Sequence, residues 1–231
     1  MTVVVFDLDD TLYKELTFVE SGFKAVSFDL HNRFGLKPEE TFQTMWLELQ
    51  RHGRGKVFNC VLARYGLETK GNILHCLNIY RKHRPDISLY DDARRCLEEL
   101  KAYPMYIVTD GNKLVQQSKL QALGLYDHEF IRHCYITRRY GIKNEKPSPH
   151  CFMKICEREQ VDPKDVVYIG DNPNKDFVGI KPLGFRTVRI IRGAFSELIK
   201  PNDYEAEHQI ESLDELANLL GLNAYKDPFA C

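Results

Sequence analysis

Apolar positions in this chain fall into two patterns. Val3 to Phe6, Met105 to Val108, Cys134 to Thr137, Val166 to Ile169 and Thr187 to Ile191 are short, nearly unbroken apolar runs rich in β-branched and aromatic residues. Runs without polar alternation predict strands buried on both faces of a parallel sheet. Between them apolar residues recur at helical spacing. Ala93, Leu97 and Leu100 share one face. Ser148-Pro149 reads as a helix start, with Phe152, Ile155 and Cys156 turned inward. Ser212 and Glu215 have capping-box spacing, ahead of Leu216, Leu219 and Leu220. Strand and helix alternate, so the pattern predicts an α/β protein with helices on both faces of the sheet.

Residues 14–88 break that alternation. Leu16, Val19, Phe23, Val26 and Leu30 repeat at three and four residues, as do Phe42, Met45, Trp46 and Leu49. Val57, Cys60 and Val61, then Ile73, Leu77 and Tyr80, continue the spacing. The reading is a four-helix domain over 14–88, returning by Pro85 and inserted into a sheet domain formed by 1–13 and 89–231. Asn223 onward reads as loosely attached.

With 231 residues and 43% apolar composition, the chain can bury an ordinary core. Thirty-two Lys and Arg against 33 Asp and Glu leave a net charge of -1, which argues against bulk electrostatic binding of nucleic acid or an anionic membrane. No apolar run approaches a membrane span, and no signal-type segment opens the chain. Seven cysteines without a CxxC pair predict reduced thiols filling core space in a cytoplasmic protein. The histidines show no metal-ligand spacing; His75 and His83 read as surface residues.

Four motifs carry candidate chemistry. Asp7-Leu8-Asp9-Asp10-Thr11 follows the first strand. Carboxylates at i and i+2 of an extended segment point the same way, at the carboxyl edge where open α/β sheets bind ligands. Such close like charges call for a cation, and oxygen ligands favour Mg²⁺. An Asp-rich turn capping a helix is the competing reading. Thr109-Asp110-Gly111-Asn112 offers a hydroxyl and backbone N–H groups to an anion, or a strand–helix junction with Asn112 as N-cap. Lys146 precedes a helix start, where its charge adds to the helix dipole; it also reads as a solvated surface lysine. Gly170-Asp171-Asn172 with Asp176 follows another strand, as a cation ligand set or an Asx turn.

In this order, with this strand context, the motifs resemble those of the haloacid dehalogenase superfamily over nearly the whole chain. The resemblance implies a three-layer Rossmann-like core with a small helical cap at 14–88. It implies Asp7 as nucleophile forming an aspartyl-phosphate, and Asp9 as acid toward the leaving oxygen and then base toward water. Thr109, Lys146 and the backbone near Leu8 and Asp110 would hold the phosphate, with Lys146 also steadying Asp7. Mg²⁺ would bind Asp7, the Asp9 carbonyl and Asp171, with Asp176 supporting that shell. Dehalogenating members lack a carboxylate at the position of Asp9, so the resemblance implies phosphoryl chemistry. Asp110 departs from the Asn often found there, and a second acid near phosphate calls for a compensating partner. The cap would set specificity, with Lys14 at its hinge and Arg51 and Arg54 in the Arg51–Lys56 loop as candidates; a solvated basic loop is the alternative. The expected function is hydrolysis of a small phosphorylated metabolite, a sugar phosphate or nucleotide-like compound. A phosphomutase using the same Asp pair, or a non-catalytic binding relative, are the alternatives.

Overall fold

The computed structural model describes residues 1–221, so Asn223 onward and Cys231 lie outside the described residues. The chain divides into two compact units: Met1–Glu15 with the chain from Ser88 onward, and Leu16–Ile87. Among the described residues no helix is long and apolar enough to cross a membrane.

The first unit is built on six parallel strands: β1 (Val3–Phe6), β2 (Met105–Thr109), β3 (Ile131–Ile136), β4 (Val166–Gly170), β5 (Arg186–Ile190) and β6 (His208–Ile210). Their order is β3-β2-β1-β4-β5-β6. The central strand β1 pairs with β2 on one side and β4 on the other, with Val5 opposite both Tyr106 and Tyr168. All four β1 residues are fully buried, which explains the unbroken apolar run. Chain direction across the sheet reverses at β1, so the loops after β1, β2 and β4 meet at one carboxyl edge, where open α/β sheets take ligands.

The two outer strands depart from the sequence pattern. β3 begins at Ile131, three residues ahead of the expected start, because Arg132 and His133 are exposed and interrupt the apolar run. β6 carried no apolar signature: His208 and Gln209 are exposed and only Ile210 is buried. The Ser212–Glu215 capping box is present, although it opens a 3₁₀ turn before the helix proper.

The helical unit has its own core. It comprises α1 (Glu15–Phe34), α2 (Pro38–His52), α3 (Val57–Arg64) and α4 (Lys70–Lys82). Val19, Phe23, Val26, Leu30, Met45, Val61, Leu62 and Cys76 pack together, and Trp46 stacks on Phe42 at its margin. Pro38 opens α2, and the Thr69 hydroxyl caps α4 by accepting from the Asn72 amide at 3.2 Å. His75 meets Asp29 at 2.8 Å. His83 is not a surface residue: its ring lies 4.9 Å from that of Phe18 and is half-buried.

The sheet unit continues with α5 (Asp91–Glu99), α6 (Lys113–Ala122), α7 (His150–Glu159) and α8 (Leu216–Leu219). On one face Val3, Val5, Tyr106, Val108, Phe152, Ile155, Tyr168, Phe177 and Phe185 form the main core cluster. Cys76, Cys96, Cys134, Cys151 and Cys156 are buried free thiols, while Cys60 is partly exposed.

Candidate active site

Asp7 leaves β1 with its amide still bound to the Ile169 carbonyl, 2.8 Å away, so the position continues the sheet. The chain then turns sharply, and Leu12 donates back to the Leu8 carbonyl. Asp10 makes that turn with a positive φ of 52°, uncommon for a residue with a side chain. Its carboxylate accepts from the amides of Glu15 at 2.9 Å and Ala194 at 3.2 Å. Thus Asp10 braces the turn, leaving Asp7 and Asp9 to face the cleft.

The Asp7 carboxylate meets the Lys146 ammonium at 2.8 Å. The same ammonium lies 2.8 Å from Asp176 and 2.8 Å from the Tyr168 hydroxyl. An ammonium has three donors, and all three are engaged. Burial alone would push Lys146 down, but Asp176 and Asp7 outweigh it and hold the ammonium well above its ordinary value. Lys146 therefore fixes and neutralises carboxylates. Tyr168 escapes sequence reasoning because a tyrosine in a buried strand reads as core. Gly170 lets Asp176 approach: a Cβ there would lie 2.5 Å from its carboxylate oxygen.

Asp171 completes the acidic group. Oxygens of Asp7, Asp171 and Asp176 lie within 4.8 Å of one another, all buried. The Lys146 ammonium pairs with two of the three, Asp7 and Asp176, and no described residue donates a hydrogen bond to the Asp171 side chain. Burial, then the charges of Asp7, Asp176 and Asp10, push Asp171 well up from the usual carboxylate range. Burial raises Asp7 too, against the pull of Lys146. Such an oxygen-only, under-neutralised cluster fits a hard divalent cation.

Asp9 sits differently. Its Oδ1 accepts from the Tyr13 hydroxyl at 2.6 Å and the Lys119 ammonium at 2.6 Å; its Oδ2 accepts from the Gln116 amide at 2.8 Å. Burial would raise its pKa, but Lys119 and the hydrogen bonds overcome this and keep it a carboxylate. Its side chain is not part of the metal-type cluster of Asp7, Asp171 and Asp176. Gln116 and Lys119 sit on the helix that Asn112 caps, its side chain accepting from Leu114 and Val115. Their signal in the sequence is an i, i+3 polar pair, which ordinarily marks a solvated face.

Thr109 ends β2 fully buried, its hydroxyl accepting from Gln116 at 2.6 Å. The Asp110 carboxylate has the compensating partners that its chemistry calls for. It accepts from the Thr137 hydroxyl at 2.6 Å, the Lys146 amide at 3.1 Å and the Lys175 ammonium at 2.9 Å. Lys175, one residue before Asp176, is a cation that sequence reasoning missed. A cleft of about 470 Å³ is lined by Asp7, Asp9, Asp110, Lys146, Asp171 and Lys175 among others. Lys14 is exposed and does not line it; Arg51 and Arg54 are exposed within the helical unit.

Comparison with known proteins agrees with this arrangement. Residues 1–184 match the family model of haloacid dehalogenase-like hydrolases. The chain is 27% identical to the glyceraldehyde 3-phosphate phosphatase of Methanopyrus kandleri, covering 94% of this chain and 97% of that one. It is 34% identical to (S)-2-haloacid dehalogenase 4A of Burkholderia cepacia, over 61% of this chain and 59% of the other. Among solved structures, a HAD phosphatase from Thermococcus onnurineus superimposes with a TM-score of 0.61 at 27% identity, covering 97% of this chain and all of that one. With the Asp7 turn, Lys146 and the Asp171–Asp176 loop gathered at one sheet edge, and a family model matched across four-fifths of its length, the chain belongs to the haloacid dehalogenase-like hydrolases.

Proposed function

We propose that the protein is a Mg²⁺-dependent phosphatase acting on a small phosphomonoester through an aspartyl-phosphate on Asp7. The observation that carries this reading is the cleft holding two distinct carboxylate environments. Asp7, Asp171 and Asp176 form a crowded cluster around Lys146, while Asp9 stands apart on its own donors. A halide leaves without a proton, whereas an alkoxide leaving phosphorus needs one, and a second, separately held carboxylate is suited to supply it.

Asp7, the Asp9 carbonyl and Asp171 would hold Mg²⁺, with Asp176 supporting the shell. When bound, the ion would offset negative charge on the transferring group and favour the ionised form of Asp7. In the first step an Asp7 oxygen bonds to phosphorus as the bond to the leaving oxygen breaks, and that oxygen takes a proton that the Asp9 carboxylate first picks up from the acidic monoanion of the ester as it binds. In the second step water bonds to phosphorus, its proton passes to Asp9, and the Asp7–phosphorus bond breaks. Asp9 passes that proton to the departing phosphate, and both residues are then restored. Lys146 keeps Asp7 aimed throughout, at little cost in motion because all three of its donors are fixed. The Thr109 hydroxyl and the amides near Leu8 and Asp110 would take the non-bridging oxygens. Lys175 adds positive charge at the same wall of the cleft.

Sugar phosphates are the first substrates to try. The Methanopyrus relative acts on glyceraldehyde 3-phosphate, and the polar lining here suits a hydroxylated leaving group. Release of inorganic phosphate from a panel of sugar phosphates and nucleotides, with Mg²⁺ and with chelator, tests the reading, beside halide release from a 2-haloacid. Metal-dependent phosphate release without halide release is expected. Halide release, or phosphate release indifferent to chelator, would overturn it.

A further inference from the structure

The Asp9 carboxylate is held asymmetrically, and the asymmetry singles out one of its oxygens. A carboxylate oxygen accepts about two hydrogen bonds. Oδ1 has two donors, Tyr13 and Lys119, each at 2.6 Å. Lys119 is itself almost wholly buried, its side chain 4% exposed, so this ion pair is part of the protein interior. Oδ2 has a single donor, the Gln116 amide at 2.8 Å, and the Asp9 side chain remains 25% exposed toward the cleft. One acceptor position on Oδ2 is therefore the outlet through which a proton can pass between Asp9 and a ligand.

What aims that outlet is Gln116. Its side chain is buried, and its amide nitrogen donates both to Asp9 and to the Thr109 hydroxyl at 2.6 Å. The amide orientation follows from chemistry: an ionised carboxylate only accepts, so the nitrogen faces it. Thr109 is fixed in turn by its place at the end of β2. A rigid chain thus runs from strand to amide to acid.

We propose that Gln116 is a positioning residue for the reaction, aiming Asp9 Oδ2 at the leaving-group oxygen. The proposal rests on the phosphatase reading above. It requires no change of charge at the site, because Gln116 is neutral in every state.

Leaving-group chemistry provides the test. An alkyl phosphate needs its leaving oxygen protonated, whereas the p-nitrophenolate of p-nitrophenyl phosphate departs without a proton. The ratio kcat/KM reports steps up to formation of the aspartyl-phosphate, so the comparison isolates the acid step. Gln116→Leu and Gln116→Met preserve volume and remove the donor; either one that melts like the wild type carries the experiment. Glycerol 2-phosphate and p-nitrophenyl phosphate are the two probes, and Asp9→Asn sets the scale for complete loss of the acid. Expected is a fall of about 10- to 100-fold in kcat/KM for glycerol 2-phosphate, below the roughly 100- to 10,000-fold that a whole general acid contributes, and about 3-fold or less for p-nitrophenyl phosphate. An equal fall on both probes, or none, overturns the proposal and leaves Gln116 a packing residue. Wild-type protein that releases phosphate from neither probe overturns the phosphatase reading itself, and this proposal with it.

Discussion

At the scale of single residues the site is a problem in charge placement. Asp7 and Asp176 divide one ammonium between them, and Asp171 beside them has the least support: no described residue donates to it, and three carboxylates stand near it. Removing a cation partner from such a cluster leaves repulsion that the fold must absorb. Asp171→Asn removes a carboxyl whose ionised form the cluster disfavours. In the metal-free protein this substitution is expected to raise the melting temperature, by about 1–2 kcal/mol or roughly 2–8 °C. Mg²⁺ is expected to stabilise the wild type and to leave the variant unchanged, since a ligand stabilises only the state that binds it. Thermal melts with Mg²⁺ and with chelator measure both effects. Equal stabilisation of both proteins by Mg²⁺ would remove Asp171 from the ligand set.

The elements differ in how openly the chain announces them. β1, β2 and β4 are buried on both faces, so their apolar runs stand out and the motifs that follow them can be placed at the carboxyl edge. β3 and β6 lie at the two ends of the sheet order, where exposed residues interrupt the pattern. The inward face of α6 is hidden for a different reason. Gln116 and Lys119 are buried because they answer Asp9 across 107 and 110 residues of chain, and a polar residue whose partner is distant in sequence looks like a solvated one. Lys175, whose partner Asp110 lies 65 residues away, was missed on the same grounds, and Tyr168 because a tyrosine in a buried strand reads as core. The nature of each partner, more than helix or strand propensity, sets the limit of what one sequence discloses.

His83, at the end of α4, is an element-scale case with a pH signature. Its Nδ1 donates to the Tyr80 carbonyl at 2.7 Å, and its Nε2 is buried with no hydrogen-bond partner among the described residues. Burial therefore pushes its pKa below the usual histidine value. A depressed pKa means that the unfolded chain binds the proton first. The stability tied to neutral His83 is present above about pH 6.5 and is lost as pH falls through the depressed value. His83→Phe retains a ring against Phe18 and Tyr80 and cannot be protonated. Melting temperatures between pH 5 and 8 are expected to fall less steeply toward acid in this variant than in the wild type. Parallel curves would show that another group governs the acid limb.

At the scale of the whole molecule, the candidate catalytic residues belong to the sheet unit. Every residue that lines the 470 Å³ cleft lies in Met1–Glu15 or beyond Ser88. The helical insertion of Leu16–Ile87 has its own core. The residues of the proposed reaction thus lie in one unit, and Arg51 and Arg54 are exposed on the other. A near-zero net charge fits this division. It provides no long-range attraction for a polyanion, so recognition of a small phosphate ester falls to the few charges inside the cleft.

The central claim is that Asp7 carries the phosphoryl group. The direct measurement is to quench the protein in acid during turnover of its best phosphomonoester with Mg²⁺, reduce it with borohydride and map the peptides by mass. An acyl phosphate on Asp7 is reduced to homoserine, so the account predicts homoserine at position 7 in the wild type and none when chelator replaces Mg²⁺. Turnover with no reducible residue, or with the label on Asp9 or Asp171, would contradict it.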